Sequence, residues 1–370
     1  MIRYTATMPN QQHPQLPAMS LAALQSQLAN WGQPSYRGRQ ILGWRNKGVL
    51  EPQAMLNLPA PLRERMQSEL DCQPLSLLQR QQSVDGTRKY LFALHSGRAI
   101  ETVFIPEPDR GTVCVSSQVG CVFDCPFCHT GTQNFEANLT AGEIVAQVLV
   151  VKADLRREPI PGYPEAEVTH VVYMGMGEPL ANEHGVHDSL AMLLDADDGL
   201  GISRRRITVS TSGLIPQIER LGAAYPVNLA VSLHAATDAL RDVLVPINRK
   251  YPLARLRQCL DAYAVGRQRH ITLEYVMLDG VNDRDEDLDA LARFARPDRE
   301  RVNLISFNPY PGSPYRASPA SRTDTFARGL IQRGIRATVR RSRGQDIMAA
   351  CGQLKSASET MLQEDRDQHA

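Results

Sequence analysis

No apolar run in this 370-residue sequence approaches the roughly 20 residues needed to cross a bilayer. The opening stretch, MIRYTATMPNQQHPQLPAMS, also lacks the continuous apolar core of a secretion signal. Net charge is nearly absent. The formal value is +1 with 22% charged residues, so no global field draws nucleic acid and any polyanion site has to be a local patch. Cysteine is present in odd number, seven, and four of the seven lie between Cys114 and Cys128. That distribution excludes the disulfide framework of a secreted mini-domain. The expectation is a cytoplasmic protein, without membrane attachment, whose thiols serve chemistry. A hydrophobic share of 42% is ordinary for a globular chain, and the length suits one large domain with an appendage.

Zones of different pattern follow one another along the chain. Residues 1–17 are polar and expected to lack order, as is the closing stretch SASETMLQEDRDQHA. Residues 18–75 read as a small helical domain. In SLAALQSQLANWG, Leu21, Leu24 and Leu28 fall at helical spacing and Gly32 is a stop. A second helix, YRGRQILGWRNKGV, places Trp44 near Arg37, Arg39, Arg45 and Lys47. Core packing is the favoured reading for Trp31 and Trp44, and RNA contact is a reading for the basic residues. Residues 76–110 form a β-rich connecting segment, where SVDGTRKYLFAL and GRAIETVFIP alternate as strands and Asp85-Gly86 marks a turn.

From residue 111 to 345 a longer rhythm sets in. The β-branched runs TVCVSS, VTHVVYMG, RITVSTS, NLAVSLH, HITLEYVML and RVNLISFN are separated by helical stretches. One of these, LTAGEIVAQVLVVKADLRRE, has Thr140 and Glu143 at capping-box spacing. Buried runs alternating with helices predict parallel strands joined by right-handed crossovers, enough for a partial barrel. A further run, IRATVRRSRG, extends its edge. The polar pieces MGMGEP, STSG, SLHA, LDGVND and FNPYPGSP follow strand ends, the rim that holds ligands in such folds.

On that rim stands GCVFDCPFCHTG, with Cys121, Cys125 and Cys128 spaced C-x3-C-x2-C. A zinc site completed by His129 or a distant residue is the alternative, but no second pair lies nearby and His129 adjoins Cys128. Three thiolates on one loop suit three corners of a 4Fe-4S cluster and leave one iron open. S-adenosylmethionine (SAM) can chelate such an iron. Gly177-Glu178 could hold its ammonium, Ser210, Ser232 and Asn308 its ribose and adenine, and His234 could stack or hydrogen-bond. The loop resembles that of the radical SAM superfamily.

The run CVSSQVGC with its cysteine loop, then MGMGEP, VSTSG, VSLHA, EYVMLDGVND, FNPYPGSPY and DIMAACGQL, resembles the RlmN family. Its members are radical SAM methyltransferases that modify an adenine of large-subunit ribosomal RNA. The likeness spans Ser20 to Leu354. It implies a partial (β/α)6 radical SAM barrel with a small N-terminal helical domain, a C-terminal strand extension, and a segment 346–370 that carries a methyl-bearing cysteine. It further implies that Cys121, Cys125 and Cys128 hold the cluster, that Cys351 carries the methyl group, that Cys114 resolves the product with a disulfide, and that Glu101 accepts a proton. SAM contacts fall on Gly177, Glu178, Ser210, Ser232, Leu233, His234 and Asn308. Cys72 and Cys259 are read as buried structural residues.

The expected activity is methylation of carbon 2 of an adenosine in 23S ribosomal RNA, with transfer RNA as a further possible substrate and two SAM used per turnover. The resemblance also implies an external donor of the flavodoxin or ferredoxin type and a monomer. Alternatives are methylation of carbon 8, as in the sister family Cfr, and a non-catalytic metal-containing RNA-binding module. Between Tyr310 and Gln345 there are eight arginines and one acid, Asp324, a local +7 expected to bind phosphates, and Arg204, Arg205 and Arg206 form a second cluster. The segment HTGTQNFEANL departs from the family in carrying His129 and Glu136.

Overall fold

The computed structural model describes residues 13–263 and 270–355; the polar termini expected to lack order at 1–12 and 356–370 lie outside the described residues. Residues 13–17 are a correction. Leu16 opens a 3-10 turn and is fully buried, and Leu16 N–H donates to the Asp71 carbonyl at 2.9 Å.

Helix α1 spans Leu21–Asn30, and Ser20 Oγ caps it by accepting from Ala23 N–H at 3.2 Å. Leu21, Leu24 and Leu28 are buried as their spacing requires, and Gly32 at φ +67° turns the chain out. With α2 (Arg37–Asn46) and α3 (Ala60–Glu69) it closes its own core around Trp31, Leu42, Leu62 and Met66. Trp31 is buried and donates to Glu69, while Trp44 packs against the same core and donates to Asn57. Arg45 is not a surface residue. It is fully buried, donates to the carbonyls of Met19 and Asp198, and burial pushes it down to about 10. It ties this unit to the barrel.

Three antiparallel strands follow: β1 (Leu75–Gln82), β2 (Arg88–Leu94) and β3 (Ala99–Glu107). Strand β3 pairs antiparallel with β4 (Arg110–Cys114), so this segment is no mere connection but one wing of a ten-stranded sheet. From β4 the sheet turns parallel, with a short pair, β5 (Gln118–Val119) and β6 (Ala137–Asn138), set apart. Helix α4 (Ala141–Arg157) carries the full Thr140–Glu143 capping box. It leads to β7 (His170–Tyr173), α5 (Glu183–Leu194), β8 (Ile207–Thr211), α6 (Ile215–Ala224) and β9 (Asn228–Ser232). Then come α7 (Asp238–Leu244), α8 (Leu253–Ala262), β10 (Ile271–Met277), α9 (Asp285–Phe294), β11 (Glu300–Ser306), α10 (Ala320–Gln332) and β12 (Arg336–Arg340).

The ladder runs β4-β7-β8-β9-β10-β11-β12 without closing among the described residues. This is the expected partial barrel, with the seventh parallel strand as its edge. Val113, Val171, Val209, Leu229, Leu273 and Leu304 face the helices in one continuous core. The alternate residues face the lumen. These seven strands being parallel, their carboxyl ends lie on one side.

Asp154 of α4 fastens the wing to the barrel. Its buried carboxylate accepts from Arg88 at 2.9 Å, Tyr90 Oη at 2.8 Å and Arg80 at 2.8 Å. Asp154→Ala leaves the fully buried Arg88 without a counter-charge. The expected loss is about 3–5 kcal/mol of stability, read as a lowered denaturant midpoint by circular dichroism.

Candidate active site

Strand β4 ends at Cys114, and the chain crosses the barrel rim through Ser116 and Ser117. Ser116 N–H donates to Gln147 Oε1 at 2.8 Å and its hydroxyl to the Glu101 carbonyl at 2.5 Å. The β5–β6 pair then clamps the base of the cysteine loop, with Gln118 opposite Asn138 and Val119 opposite Ala137. Gly120 turns there at φ +69°, and a Cβ would stand 2.0 Å from the Asn134 carbonyl oxygen. Only glycine permits that closure.

Cys121, Cys125 and Cys128 all line one cleft at the carboxyl ends of the strands. Burial pushes Cys121 up to about 12 and Cys125 well above the ordinary thiol range, and the thiols raise one another. The Phe123 N–H donates to Cys121 Sγ at 3.4 Å. His129 turns away: it stacks on Tyr310 at 4.7 Å, its Nδ1 meets the Gln353 carbonyl at 3.2 Å and its N–H donates to the Gly352 carbonyl at 2.8 Å. It does not line the cleft with the three thiols. Among the described residues no three His, Cys, Asp or Glu side chains are gathered to hold a metal ion as they stand. The donor set itself fits an iron–sulfur cluster: three thiols on one loop lining one cleft, main-chain N–H groups on two of the sulfurs, and one cation, Arg241, acting on Cys125. Positive charge to ionise all three has to come with the bound group.

The rim residues gather opposite that loop. Gly177, at φ +96°, brings its backbone against Gln118, where a Cβ would stand 2.4 Å from the Gln118 Cβ. Glu178 is buried and accepts from the N–H groups of Leu180 at 3.1 Å and Ser212 at 2.8 Å. Burial pushes its carboxyl up, and those donors pull it back. Ser210, Ser232 and Asn308 line the cleft. His234, held at φ +58°, accepts from Val276 N–H at 3.1 Å through Nδ1, so its free Nε2 carries the proton. Burial, then Arg241, push it down to about 3, so the ring is neutral. Leu233 does not reach the cleft. It is buried, its N–H bonded to the Glu274 carbonyl and its carbonyl to Arg241.

Cys351 lies on a carboxyl-terminal strap that closes the cleft. Thr130 Oγ1 donates to the Leu354 carbonyl at 2.6 Å, and Asn308 Nδ2 to the Cys351 carbonyl at 3.1 Å. Cys114 and Cys351 are electrostatic neighbours, with Arg340 acting on both. Burial pushes the Cys114 thiol up to about 12, and the guanidinium opposes it. Every described cysteine is a free thiol, so the expected disulfide is not a feature of this structure. Cys72 and Cys259 are buried, as read from sequence. Glu101 stands outside the cleft lining. Its buried carboxylate lies 3.0 Å from Lys89 Nζ and accepts from Lys355 N–H at 2.9 Å; burial pushes it up and Lys89 pulls it down.

The cleft also contains Arg340, expected from the sequence only as one of eight phosphate-binding arginines, and Glu274, which the sequence reading did not single out. A lone acid in the otherwise apolar strand ITLEYVM was the available signal for Glu274. The basic run is not one patch. Asp285 pairs with Arg322 at 2.8 Å, Asp289 with Arg333 at 2.6 Å and Asp85 with Arg343 at 3.1 Å. Counting charge along the sequence missed these acids because they come from other elements. Arg204–Arg206 form a turn entering β8, at the strand end opposite the cleft.

A parallel α/β partial barrel with three thiols of C-x3-C-x2-C spacing on its ligand rim defines a radical SAM enzyme. In agreement, the family description "Radical SAM superfamily" matches residues 115–295. The chain is 47% identical over 345 residues to the dual-specificity RNA methyltransferase RlmN of Paracoccus denitrificans (strain Pd 1222), covering 91% of this chain and 88% of that protein. It is likewise 47% identical over 336 residues to RlmN of Ruegeria pomeroyi, covering 88% and 85%. The crystal structure of a radical SAM methyltransferase from Sphaerobacter thermophilus matches with a TM-score of 0.87 at 44% identity, over 93% of this chain and 99% of that one. The chain belongs to the RlmN family of radical SAM RNA methyltransferases.

Proposed function

We propose that this enzyme methylates carbon 2 of an adenosine in 23S ribosomal RNA and an adenosine in transfer RNA, through a methylated Cys351. The observation that carries the reading is the meeting of two thiol sets in one region: the ligand-type trio Cys121, Cys125 and Cys128, and the free pair Cys114 and Cys351 under a shared guanidinium. Relatives bearing the name dual-specificity RNA methyltransferase support two RNA classes.

Carbon 2 of adenine is electron-poor and does not attack a sulfonium methyl as a nucleophile, so the transfer is divided into covalent stages. Cys121, Cys125 and Cys128 would hold a 4Fe-4S cluster, while Gly177, Glu178, Ser210, Ser232, His234 and Asn308 would hold SAM, with Leu233 fixing the backbone between its neighbours. Bound together, cluster and SAM supply the one-electron chemistry that activates the methyl group. Cys351 carries that group on the strap, within reach of the base. Glu101 takes the ring proton after the strap gives up its Lys355 bond. The Cys114 thiolate would then attack the sulfur of Cys351, forming an S–S bond as the carbon–sulfur bond breaks and its electron pair passes into the base, whose carbon takes a proton to become the methyl group. An external reductant returns the disulfide to thiols, and Arg340 favours the thiolate form of both cysteines.

The target base has to leave its stack, at a cost of a few kcal/mol, which favours loop or single-stranded RNA. Exposed Arg39 and Lys47 on the helical unit and Arg316 and Arg341 beside the strap are available to phosphates. An external donor of the flavodoxin or ferredoxin type, a monomeric state and a cytoplasmic location complete the reading. No described helix is long and apolar enough to cross a membrane.

The test is anaerobic incubation of the iron-reconstituted protein with labelled SAM, a reductant, and ribosomal or transfer RNA, followed by nucleoside mass spectrometry. The expected product is 2-methyladenosine from both RNAs. A product methylated at carbon 8, or no labelled nucleoside, overturns the assignment.

A further inference from the structure

Arg340 ends β12 with its guanidinium in the cleft beside Cys351 and without a counter-ion. Among the described residues no ion pair or hydrogen bond engages it. The groups acting on it are the thiols of Cys351 and Cys114 and the carboxylates of Glu274 and Glu107. Glu107 is paired with Arg110 at 2.6 Å, and Glu274 accepts from Asn303 Nδ2 at 2.7 Å while acting on Arg340 from beyond ion-pair distance.

A second group without a partner lies close by. Ser342 Oγ is shielded from solvent and makes no hydrogen bond. Arg340 and Ser342 both line a small cavity of about 30 Å³ against Cys351. Ile305, Asn308, Arg340 and Cys351 line this cavity and the main cleft alike, so the two adjoin. Arg343 also borders it, but its guanidinium is held by Asp85 and the Pro106 carbonyl.

Two sets of donors without acceptors thus converge on one hollow. A guanidinium and a hydroxyl at one point suit an oxyanion, since the planar fork donates to two oxygens at once. The cleft has two sides that decide which oxyanion. Glu178 acts on Cys121 and Cys125, at the metal-loop side. Arg340 acts on Cys114 and Cys351, at the methyl-carrier side. A base joined to Cys351 brings its own sugar and phosphates to the second side.

We propose that Arg340 and Ser342 form a binding site for a backbone phosphate flanking the nucleotide whose base enters the cleft. The proposal rests on RNA being the substrate. It adds a contact that grips the nucleotide beside the methyl carrier, whatever the surrounding sequence.

The test uses the full-length, iron-reconstituted protein and a short RNA that it methylates, with each phosphate flanking the target adenosine replaced in turn by a neutral methylphosphonate. Wild type is expected to lose about ten- to a hundredfold in kcat/KM at one of the two positions. Arg340→Gln falls at least as far on native RNA, since it also loses the pull on the Cys114 and Cys351 thiols, and in that variant the methylphosphonate costs nothing further, because the partner of the phosphate is already gone. Ser342→Ala shows a smaller loss with the same non-additivity, and Arg340→Lys keeps part of the discrimination as a point charge. Additive losses, or indifference of wild type to both methylphosphonates, overturn the proposal. So does a fall in SAM affinity of Arg340→Gln that matches its loss of activity, which would give the guanidinium to the SAM carboxylate. A wild type that methylates no RNA overturns the RNA reading itself and is recognised before any variant is made.

Discussion

Cys351→Ala is expected to lower RNA methylation by at least about a thousandfold, the scale on which removal of a covalent nucleophile acts. The reason is local. Cys351 sits on the strap, which is tied to the cysteine loop through Thr130 and to the rim through Asn308, and its described cysteine neighbours are Cys114 and Cys128, the latter assigned to the cluster. Alanine removes the sulfur without disturbing the main-chain bonds that hold the strap. SAM binding and its reductive cleavage therefore persist in this variant, while labelled methyl appears neither on protein nor on RNA. Product formation at the wild-type rate would assign the chain to a radical SAM chemistry that does not use a carrier cysteine. Counting label on protein and RNA separately after one turnover gives the answer directly.

The barrel was legible because its signal is repeated. Runs such as TVCVSS and NLAVSLH are apolar and β-branched, and Val113, Leu229 and Leu304 are buried as those runs require. The Thr140–Glu143 box and the Gly32 stop were legible because capping chemistry is local. Strand β1 was not: in LSLLQRQQ, Leu77 and Leu78 are exposed and the strand carries a bulge between Leu77 and Gln79, so no alternation survives in the sequence. Residues 13–17 look polar, yet Leu16 is buried in the core of the helical unit, from Met19 to Cys72, and its N–H is held by Asp71. The site shows the same division. Cysteine spacing is written in consecutive residues, so the cysteine loop and its place on the rim could be read. The meaning of Arg340, Glu274 and Arg45 lies in contacts between distant elements. For Arg45, a basic residue beside a tryptophan read as surface, whereas its donors serve Met19 and Asp198. For the run ending at Gln345, the compensating acids Asp85, Asp285 and Asp289 stand outside the stretch that was counted.

The opposite failure is expected when Cys114 is removed. Cys114→Ala leaves every residue assigned to SAM and to methyl transfer in place, so the base still becomes joined to the sulfur of Cys351. What is lost is the thiol to which we assign the breaking of that link. Of the other described cysteines only Cys128 acts on Cys351, and it is assigned to the cluster, so among the described residues no free thiol is left to substitute. Turnover stops after one event, and a covalent protein–RNA species accumulates to about one per active protein. It is read as a slow band on a denaturing gel that nuclease treatment collapses, and as a nucleotide mass added to the peptide containing Cys351. The double variant Cys114→Ala/Cys351→Ala forms no such band. Multiple turnovers by Cys114→Ala, or an inactive variant whose Cys351 is methylated but never joined to RNA, would remove Cys114 from the resolving step. In the second case the thiol would act earlier, at the ring proton, and Glu101, held by Lys89 and Lys355, would lose its assigned part to it.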